Sequence, residues 1–551
     1  MFLGTLICLS SLTGCGDAGQ KESSEESGQP KQDSLAEESS EEEQQEGEES
    51  SDASAAGFDF SEPVSFSCTS VSGESDFKSD DVYKLVAEKF NVDMEFMTLT
   101  WDNWIEKQRI WINSGDMPDV LMWDFNFNEY MEYAEEGQFK ALPEDFEEKY
   151  PNLYATTKKS GLYDYIKEAM GGTLYGVPRT VNAFSESEEN VDYMALVYRK
   201  DWAKQLGIEV GNVISYEDFL DMAKRFVTED PGGNGANRTI GFCGHPEQTC
   251  SAFVTPYNSN YAAFAKDEAG KYYAGFRDGS TLEGIKSLWR SYQDGIIDPN
   301  FFSNNADEAR NKFIAGQAGC YWQGIIPAIL EHLYPDFKEA NPDLDPREAI
   351  GIAVVKGPDE KVHGFVANNW WTAAVFNPDM DDVTMERILA MMDFFCTEEG
   401  VYLSNLGIEG IDWERENGEV VAIEQTSESG DPIVVSAKYP SMGYFCFMGM
   451  CGDGFSYLNP AVPADIRETS LSVTKWKEEA GLNIAPADLD LQFFSGSEYS
   501  TYDVNIQNMI AEVVVEAKSE EELVSLWNAA LDEIGDKVDR VLEELNASLG
   551  N

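Results

Sequence analysis

The sequence predicts an α/β protein of two packed lobes, on three observations. The chain has 551 residues, and because a single core stops growing at roughly 250–300 residues, at least two packed bodies are required. Between Val64 and Trp123, strand and helix periodicities alternate in a β-α-β-α-β rhythm with short connections. The same rhythm resumes at Met194 after an extended stretch. Units of this kind build a largely parallel sheet, with ligands held outside the carboxyl ends of its strands. No repeat of about 20–50 residues is present, which excludes solenoids and propellers.

The elements follow in order. Val64-Ser65-Phe66-Ser67-Cys68 alternates as an opening strand, and Val82, Leu85, Val86 and Phe90 recur at helical spacing. Asn91 to Leu99 returns as a strand. Trp104, Gln108, Trp111 and Ile112 mark one face of a helix that Gly115 ends, and Pro118 through Trp123 starts the next strand. Met194 to Tyr198 is a strand, and Ser215-x-x-Asp218 is a capping box that opens a helix through Val227. Leu282, Ile285, Leu288, Trp289 and Tyr292 line another helix, after which Phe313 and the Gly316–Trp322 run give a helix end and a strand. Ser519-x-x-Glu522 caps one long helix with Leu523, Leu526, Trp527, Leu531, Ile534, Val538, Leu542 and Leu545 on its buried side.

Charge narrows the partners. With 39 Lys and Arg against 101 Asp and Glu, the formal charge is −62. Such a field repels phosphate backbones, and no Lys/Arg-rich run reverses it locally, so no nucleic-acid partner is expected. Residues 16–57 carry 14 acidic groups against Lys21 and Lys31, with Leu35 as the one large aliphatic side chain. A segment of that composition cannot bury enough apolar surface to offset its ordering and reads as a solvated tether. Taking its −12 from the −62 of the chain leaves −50 on residues 58–551. Met1 to Leu12 is an apolar run too short for a membrane-spanning helix of about 20 residues. Beyond Cys8 and Cys15 there are seven cysteines. Cys243/Cys250 and Cys446/Cys451 are close enough in sequence to be bridged and equally readable as free buried thiols, and no pair has CxxC zinc spacing.

Several of these segments resemble one family. Trp104 followed by Ile112-Asn113-Ser114-Gly115-Asp116-Met117-Pro118-Asp119-Val120 is similar to the SGD-x-PD junction of family 1 extracellular solute-binding proteins of bacterial ABC importers. Leu174-Tyr175-Gly176-Val177-Pro178-Arg179 resembles its YG-[VI]-P segment near the interlobe crossing, and Tyr198-Arg199-Lys200-Asp201-Trp202 through Leu206-Gly207 its RKDW…LG element. Asp294-Gly295-Ile296-Ile297-Asp298-Pro299, followed by Phe313 and Gly316-x-x-Gly319, resembles its G-[LI]-[IL]-DP…F..G..G element. Leu12-Thr13-Gly14-Cys15 resembles the lipobox of bacterial lipoproteins, although no Lys or Arg precedes the apolar run.

The resemblance implies a periplasmic-binding-protein-like (type II) fold, two α/β lobes with a hinge and an interlobe cleft. Residues 1–14 would be a lipoprotein signal peptide, Cys15 the lipidated residue and 15–57 the acidic disordered tether. Lobe one would take 58–180 and about 350–440, and lobe two about 190–345 and 445–551. The implied function is capture of a solute by hinge closure and delivery to the transmembrane permease subunits, at the extracellular face of a membrane reached through a lipid anchor. No chemistry follows from it. The runner-up readings are a secreted carbohydrate-active enzyme such as a glycoside hydrolase, and a surface sensory or adhesive protein. His245, His332 and His363 are scattered, and HExxH, GxSxG and Walker A sequences are absent.

Ligand contacts follow from sugar chemistry, since C–H faces pack on aromatic rings and hydroxyl edges need amide, carboxylate and guanidinium partners. Trp123 and Asp124 stand at the end of a predicted strand, Arg179 at the crossing, Trp322 and Gln323 after the Gly316–Tyr321 strand, and Asn368, Asn369, Trp370 and Trp371 form a polar-aromatic cluster. Twelve tryptophans and 24 tyrosines favour an oligosaccharide over a free amino acid. Asp230-Pro231-Gly232-Gly233-Asn234-Gly235 resembles the DPDGNG calcium loop of many relatives, but Gly232 replaces an acidic ligand and Arg238 stands where another carboxylate is expected. No cofactor is therefore expected, with calcium at Asp230 and Asn234 the alternative.

Overall fold

The computed structural model describes residues 57–549, apart from 71–76, 100–103, 124–126, 159–161, 181–192, 236–237, 365–369, 424, 427–432, 450–458, 461 and 484–487. Cys15, the apolar run before it and nearly all of the acidic segment after it lie outside the described residues.

In chain order the strands are β1 (Val64–Ser70), β2 (Val92–Thr98), β3 (Val120–Trp123), β4 (Gly176–Thr180), β5 (Met194–Arg199), β6 (Val213–Ser215), β7 (Ile240–Cys243), the hairpin strands β8 (Phe264–Lys266) and β9 (Tyr272–Ala274), β10 (Ala318–Gly324), β11 (Ile350–Lys356), β12 (Val362–His363) and β13 (Trp370–Phe376). Ten of them form two five-stranded sheets, ordered β2-β1-β3-β13-β4 and β6-β11-β5-β10-β7. Each sheet has its own core. Phe66, Val86, Leu121, Phe376 and Ile388 pack about the first. Phe219, Phe242, Leu288 and Trp527 cover one face of the second, and Leu330, Phe337 and Val473 the other.

Each sheet is largely parallel, as expected, with one antiparallel strand inserted that the sequence did not signal. In the first, β13 runs antiparallel to both β3 and β4. In the second, β5 runs antiparallel to both β10 and β11. The cause is chain routing: β5 follows β4 of the other sheet, and β13 follows β12 of the other lobe, so each enters its sheet from the crossing side. The remaining strands enter from the far side and run the opposite way.

The lobe boundaries differ from the expected ones in two places. Residues 350–356, expected in lobe one, form β11 of the second sheet, paired to β5 and β6. Their Ile-Gly-Ile-Ala-Val-Val run is apolar on both faces, as an interior strand requires. Residues 445–448, expected in lobe two, belong to the helix Ser441–Met448, whose Met442, Phe445 and Met448 enter the first core.

Local chemistry accounts for most element ends. Asp80 caps the helix Asp81–Phe90 by accepting from the Tyr83 N–H at 2.7 Å, and Asn91 ends it in the left-handed region. Leu85, expected on its buried face, is 43% exposed, because Val82, Tyr83, Val86 and Phe90 fill the core-facing arc. The Ser67 N–H and hydroxyl both donate to the Asp119 carboxylate, fixing the chain just before β3 onto β1. The single long C-terminal helix expected from Ser519 is two helices, Glu520–Glu533 and Gly535–Ser548. Glycine is a poor helix former, and the Gly535 carbonyl is taken by the Arg277 guanidinium at 3.1 Å.

Arg387 ties the first lobe's opening segment to one of its later helices. From the helix Asp382–Phe394 its guanidinium donates to the backbone carbonyls of Phe90, Asn91 (3.2 Å), Asp59 (3.4 Å) and Glu62 (3.0 Å), and it lies 4.6 Å from the Phe60 ring centroid. Burial pulls its pKa down, though an arginine stays charged. Removing it leaves several carbonyls unpaired, so Arg387→Met should lower unfolding stability by about 2–4 kcal/mol in urea titrations.

Candidate ligand-binding site

Strand direction locates the site. β1 to β4 run parallel to one another and β4 leads into the crossing at 181–192, so their carboxyl ends at Ser70, Thr98, Trp123 and Thr180 face the crossing side. β5 enters the second sheet from that side and opposes β10 and β11, so the carboxyl ends of β6, β7, β10 and β11 face it as well. Two sets of strand ends therefore meet the same passage, the position where α/β folds bind ligands.

The expected contact residues separate into groups. Trp123, beside Ala373 of β13, is fully buried, with its ring 6.0 Å from Tyr133 at 74° and the Arg109 guanidinium 6.0 Å away. It thus packs in the first core instead of offering a face to a ligand, while its indole N–H has no hydrogen-bond partner among the described residues. Arg179 in β4 is 1% exposed and stacks 3.9 Å from the Phe447 ring centroid. Trp370 starts β13 opposite Thr180, and the register shifts between Trp370 and Ala373, so Trp370 and Trp371 open the strand at the crossing. Trp322 pairs with Leu196 and packs in the second core. Gln323, next along β10, is partly exposed and its amide oxygen accepts from Gln248 at 3.4 Å. Asp124, Asn368 and Asn369 lie outside the described residues.

Asp230 and Asn234 form a closed turn. The Asp230 carboxylate accepts from the N–H groups of Asn234 (3.0 Å) and Gly235 (2.9 Å) and from the Thr239 hydroxyl (2.5 Å). The Thr239 hydroxyl and the Gly235 N–H hold its pKa below the usual range. Asn234 donates to the Gly316 carbonyl at 2.9 Å, anchoring the turn to the start of β10. Its oxygens serve protein donors, and no group of three or more metal-binding side chains occurs among the described residues. Cys243 and Cys250 are free thiols, the former donating to the Ala309 carbonyl at 3.1 Å, and Cys451 lies outside the described residues.

Three features at the second lobe's strand ends were missed by sequence reasoning. His245 follows β7 at the start of the helix Pro246–Phe253, and burial lowers its pKa. Glu331 sits in the helix Pro327–Ala340 that follows β10, with no hydrogen bond or ion pair among the described residues, and burial pushes its pKa up to about 7. Beyond β11 lies a cavity of about 600 Å³ lined by Tyr257, Asn258, Ser259, Asn260, Tyr273 and His363 together with charged side chains. Gly357 brings the 256–260 loop against the end of β11, since a Cβ there would stand 2.3 Å from the Pro256 carbonyl. No periodicity signals such a cavity, because its residues come from a loop, a hairpin and β12.

Residues 78–383 match the family described as bacterial extracellular solute-binding protein. The chain belongs to that family. Among curated relatives it is 22% identical over 308 residues to the polygalacturonan/rhamnogalacturonan-binding protein YtcQ of Bacillus subtilis, covering 55% of this chain and 57% of YtcQ. It is 21% identical over 343 residues to lipoprotein LipO of the same organism, covering 60% of this chain and 64% of LipO. The chain thus spans less than two thirds of the length of either curated relative. Among solved structures, the Streptococcus pneumoniae substrate-binding protein FusA in complex with kestose superposes with a TM-score of 0.66 at 18% identity, over 88% of this chain and 98% of FusA. The solute-binding fold, two α/β lobes about a cleft, is shared with it.

Two outcomes are expected from the site's charges. Because the folded pKa of Glu331 is raised, the folded state favours its protonated form. That contribution is fully present below the unfolded pKa and is lost as pH rises through about 7. Glu331→Gln should therefore raise stability on the order of 1–3 kcal/mol at about pH 8 and leave it unchanged at about pH 4, read from urea midpoints. Calcium addition or chelation should leave the melting temperature unchanged, whereas Asp230→Ala should lower it.

Proposed function

We propose that the protein is the solute-capturing component of a bacterial ABC importer and that its ligand is an oligosaccharide. The observation that carries this reading is the convergence of both sheets' carboxyl ends on one crossing, with Gln323 partly exposed there and the Trp370-Trp371 pair opening β13 beside Thr180. Aromatic faces and amide edges are the groups that sugars need. YtcQ, a polygalacturonan/rhamnogalacturonan-binding protein, and FusA, solved in complex with kestose, point the same way.

In this reading a ligand bridging the two sets of strand ends stabilises a closed arrangement, and its differential affinity for that arrangement shifts the open–closed population. The closed form then docks on the permease. A lipid on Cys15 would hold the protein at the extracellular face of the membrane, and the acidic tether would lift the body clear of it through self-repulsion. The protein performs no reaction and needs no cofactor, so the ligand leaves as it arrived.

Calorimetric titration of the purified chain with oligosaccharide pools, followed by chromatography of the sugar, tests the proposal. Saturable one-to-one binding with the sugar recovered intact is expected, and Gln323→Ala should weaken it about tenfold, or about 1.4 kcal/mol. Release of shorter sugars would make the protein an enzyme and end the proposal.

A further inference from the structure

We infer that the cavity beyond β11 is a distinct binding subsite for a neutral glycosyl unit and that it discriminates against uronates. The inference rests on the carbohydrate reading above and assigns it a position and a charge class.

Three observations carry it. The first is place: Tyr257, Asn260, Tyr273 and His363 all belong to the second lobe, and His363 closes β12, the last strand before the chain crosses to β13. The cavity therefore lies at the crossing end of the sheet but outside the sheet itself, where the far end of an elongated ligand would reach. Its volume of about 600 Å³ falls in the range of about 300–1,000 Å³ found for small-molecule sites.

The second is chemistry. Two tyrosines stand among short polar side chains, and Tyr257 is braced by the Tyr216 ring at 5.4 Å, edge to face. The Tyr273 hydroxyl accepts from the Asn260 side-chain N–H at 3.4 Å, a long bond that a ligand hydroxyl could replace. Asn258 is occupied, donating to the Gly275 carbonyl and the Thr281 hydroxyl and accepting from the Asn260 N–H, so it sets the loop's shape. Aromatic faces with amide and hydroxyl edges suit a pyranose or furanose ring.

The third is charge. The lysine and the histidine that line the cavity are both engaged: Lys266 pairs with Asp488 at 3.0 Å and Asp490 at 3.5 Å, and the His363 ring contacts Asp359 at 3.0 Å. Asp267, Glu268 and Asp278 line the same cavity. Asp267 and Asp278 are held by backbone N–H groups in a turn and a helix cap, which fixes their carboxylates in place. A uronate carboxylate entering here would meet like charge with no cation released to pair with it.

The test is calorimetry on the full chain with neutral probes (maltotetraose, mannotetraose, xylotetraose and kestose) and one anionic probe, tetragalacturonate. At least one neutral probe should bind about tenfold or more tightly than tetragalacturonate. Tyr273→Ala should weaken that neutral probe about tenfold, while Tyr273→Phe, which keeps the ring, should cost less than about threefold; circular dichroism melts establish that both variants fold. If Gln323→Ala weakens binding and Tyr273→Ala does not, the subsite is refuted and the carbohydrate reading stands. Tetragalacturonate binding as tightly as the neutral probes refutes the charge class. If no sugar of either kind binds the wild-type chain, the carbohydrate reading falls, and this inference with it.

Discussion

The structure depends on one routing constraint: the chain passes from the first sheet to the second between β4 and β5, back between β12 and β13, and to the second lobe again after the helix Ser441–Met448. Each of the first two passages delivers a strand against the grain of the sheet it joins, β5 into the second and β13 into the first. An inserted antiparallel strand orients the carboxyl ends of its neighbours toward the side it came from. Both sheets therefore present those ends to the same passage, and the cleft is a consequence of connectivity before any ligand is considered.

The passages are flanked by contacts that tie returning segments together. Arg179, at the end of β4 just before the first passage, stacks on Phe447, at the end of the helix that precedes the third. Two exits from the first lobe are thus clamped to each other. On the other side, Phe493 packs 5.0 Å from Phe127 and 4.8 Å from Tyr165 in the first lobe, while Asp488 in the same stretch pairs with Lys266 in the second. That stretch touches both lobes, so any change in the angle between them must move it or slide Phe493 in its seat.

Much of this was legible in the sequence, and the limits have physical causes. The rhythm from Val64 to Trp123 gave strands and helices close to their observed bounds, because alternation and helical spacing are local properties. Sheet direction was not legible, since nothing in Met194–Arg199 or Trp370–Phe376 distinguishes a parallel from an antiparallel strand. The Ile350–Lys356 run was placed in the wrong lobe for the same reason: its apolar pattern identifies an interior strand but not the sheet. Trp123 shows the limit for sites, being at the expected strand end yet turned into the core. The Tyr273 cavity draws on segments a hundred residues apart, and Glu331 is made unusual only by what surrounds it.

The acidic excess takes on a definite meaning once the interior is inspected. Asp298, Asp393 and Asp412 are each 1% exposed, and each is fully employed. Asp298 accepts from Lys312 (2.6 Å) and Asn304 (2.9 Å), Asp393 from the N–H groups of Asn152 (2.8 Å) and Leu153 (2.9 Å), and Asp412 from Lys438 (2.6 Å) and the Ile408 N–H (2.8 Å). The three buried arginines among the described residues are engaged likewise, Arg387 on carbonyls, Arg199 on Asp201 and the Trp202 ring, and Arg179 on the Phe447 ring. Burying an ion is tolerated only with such compensation. Among the described residues the buried acids (Asp80, Asp298, Asp393, Asp412) equal the buried bases (Arg179, Arg199, Arg387, Lys477) in number, so the −50 of residues 58–551 is carried almost wholly by the surface, where it sets the field that an approaching ligand meets. In that field a neutral solute loses nothing on entry, whereas a polyanion would need a dedicated cation. The lysine and histidine that line the β11 cavity are already held by aspartates.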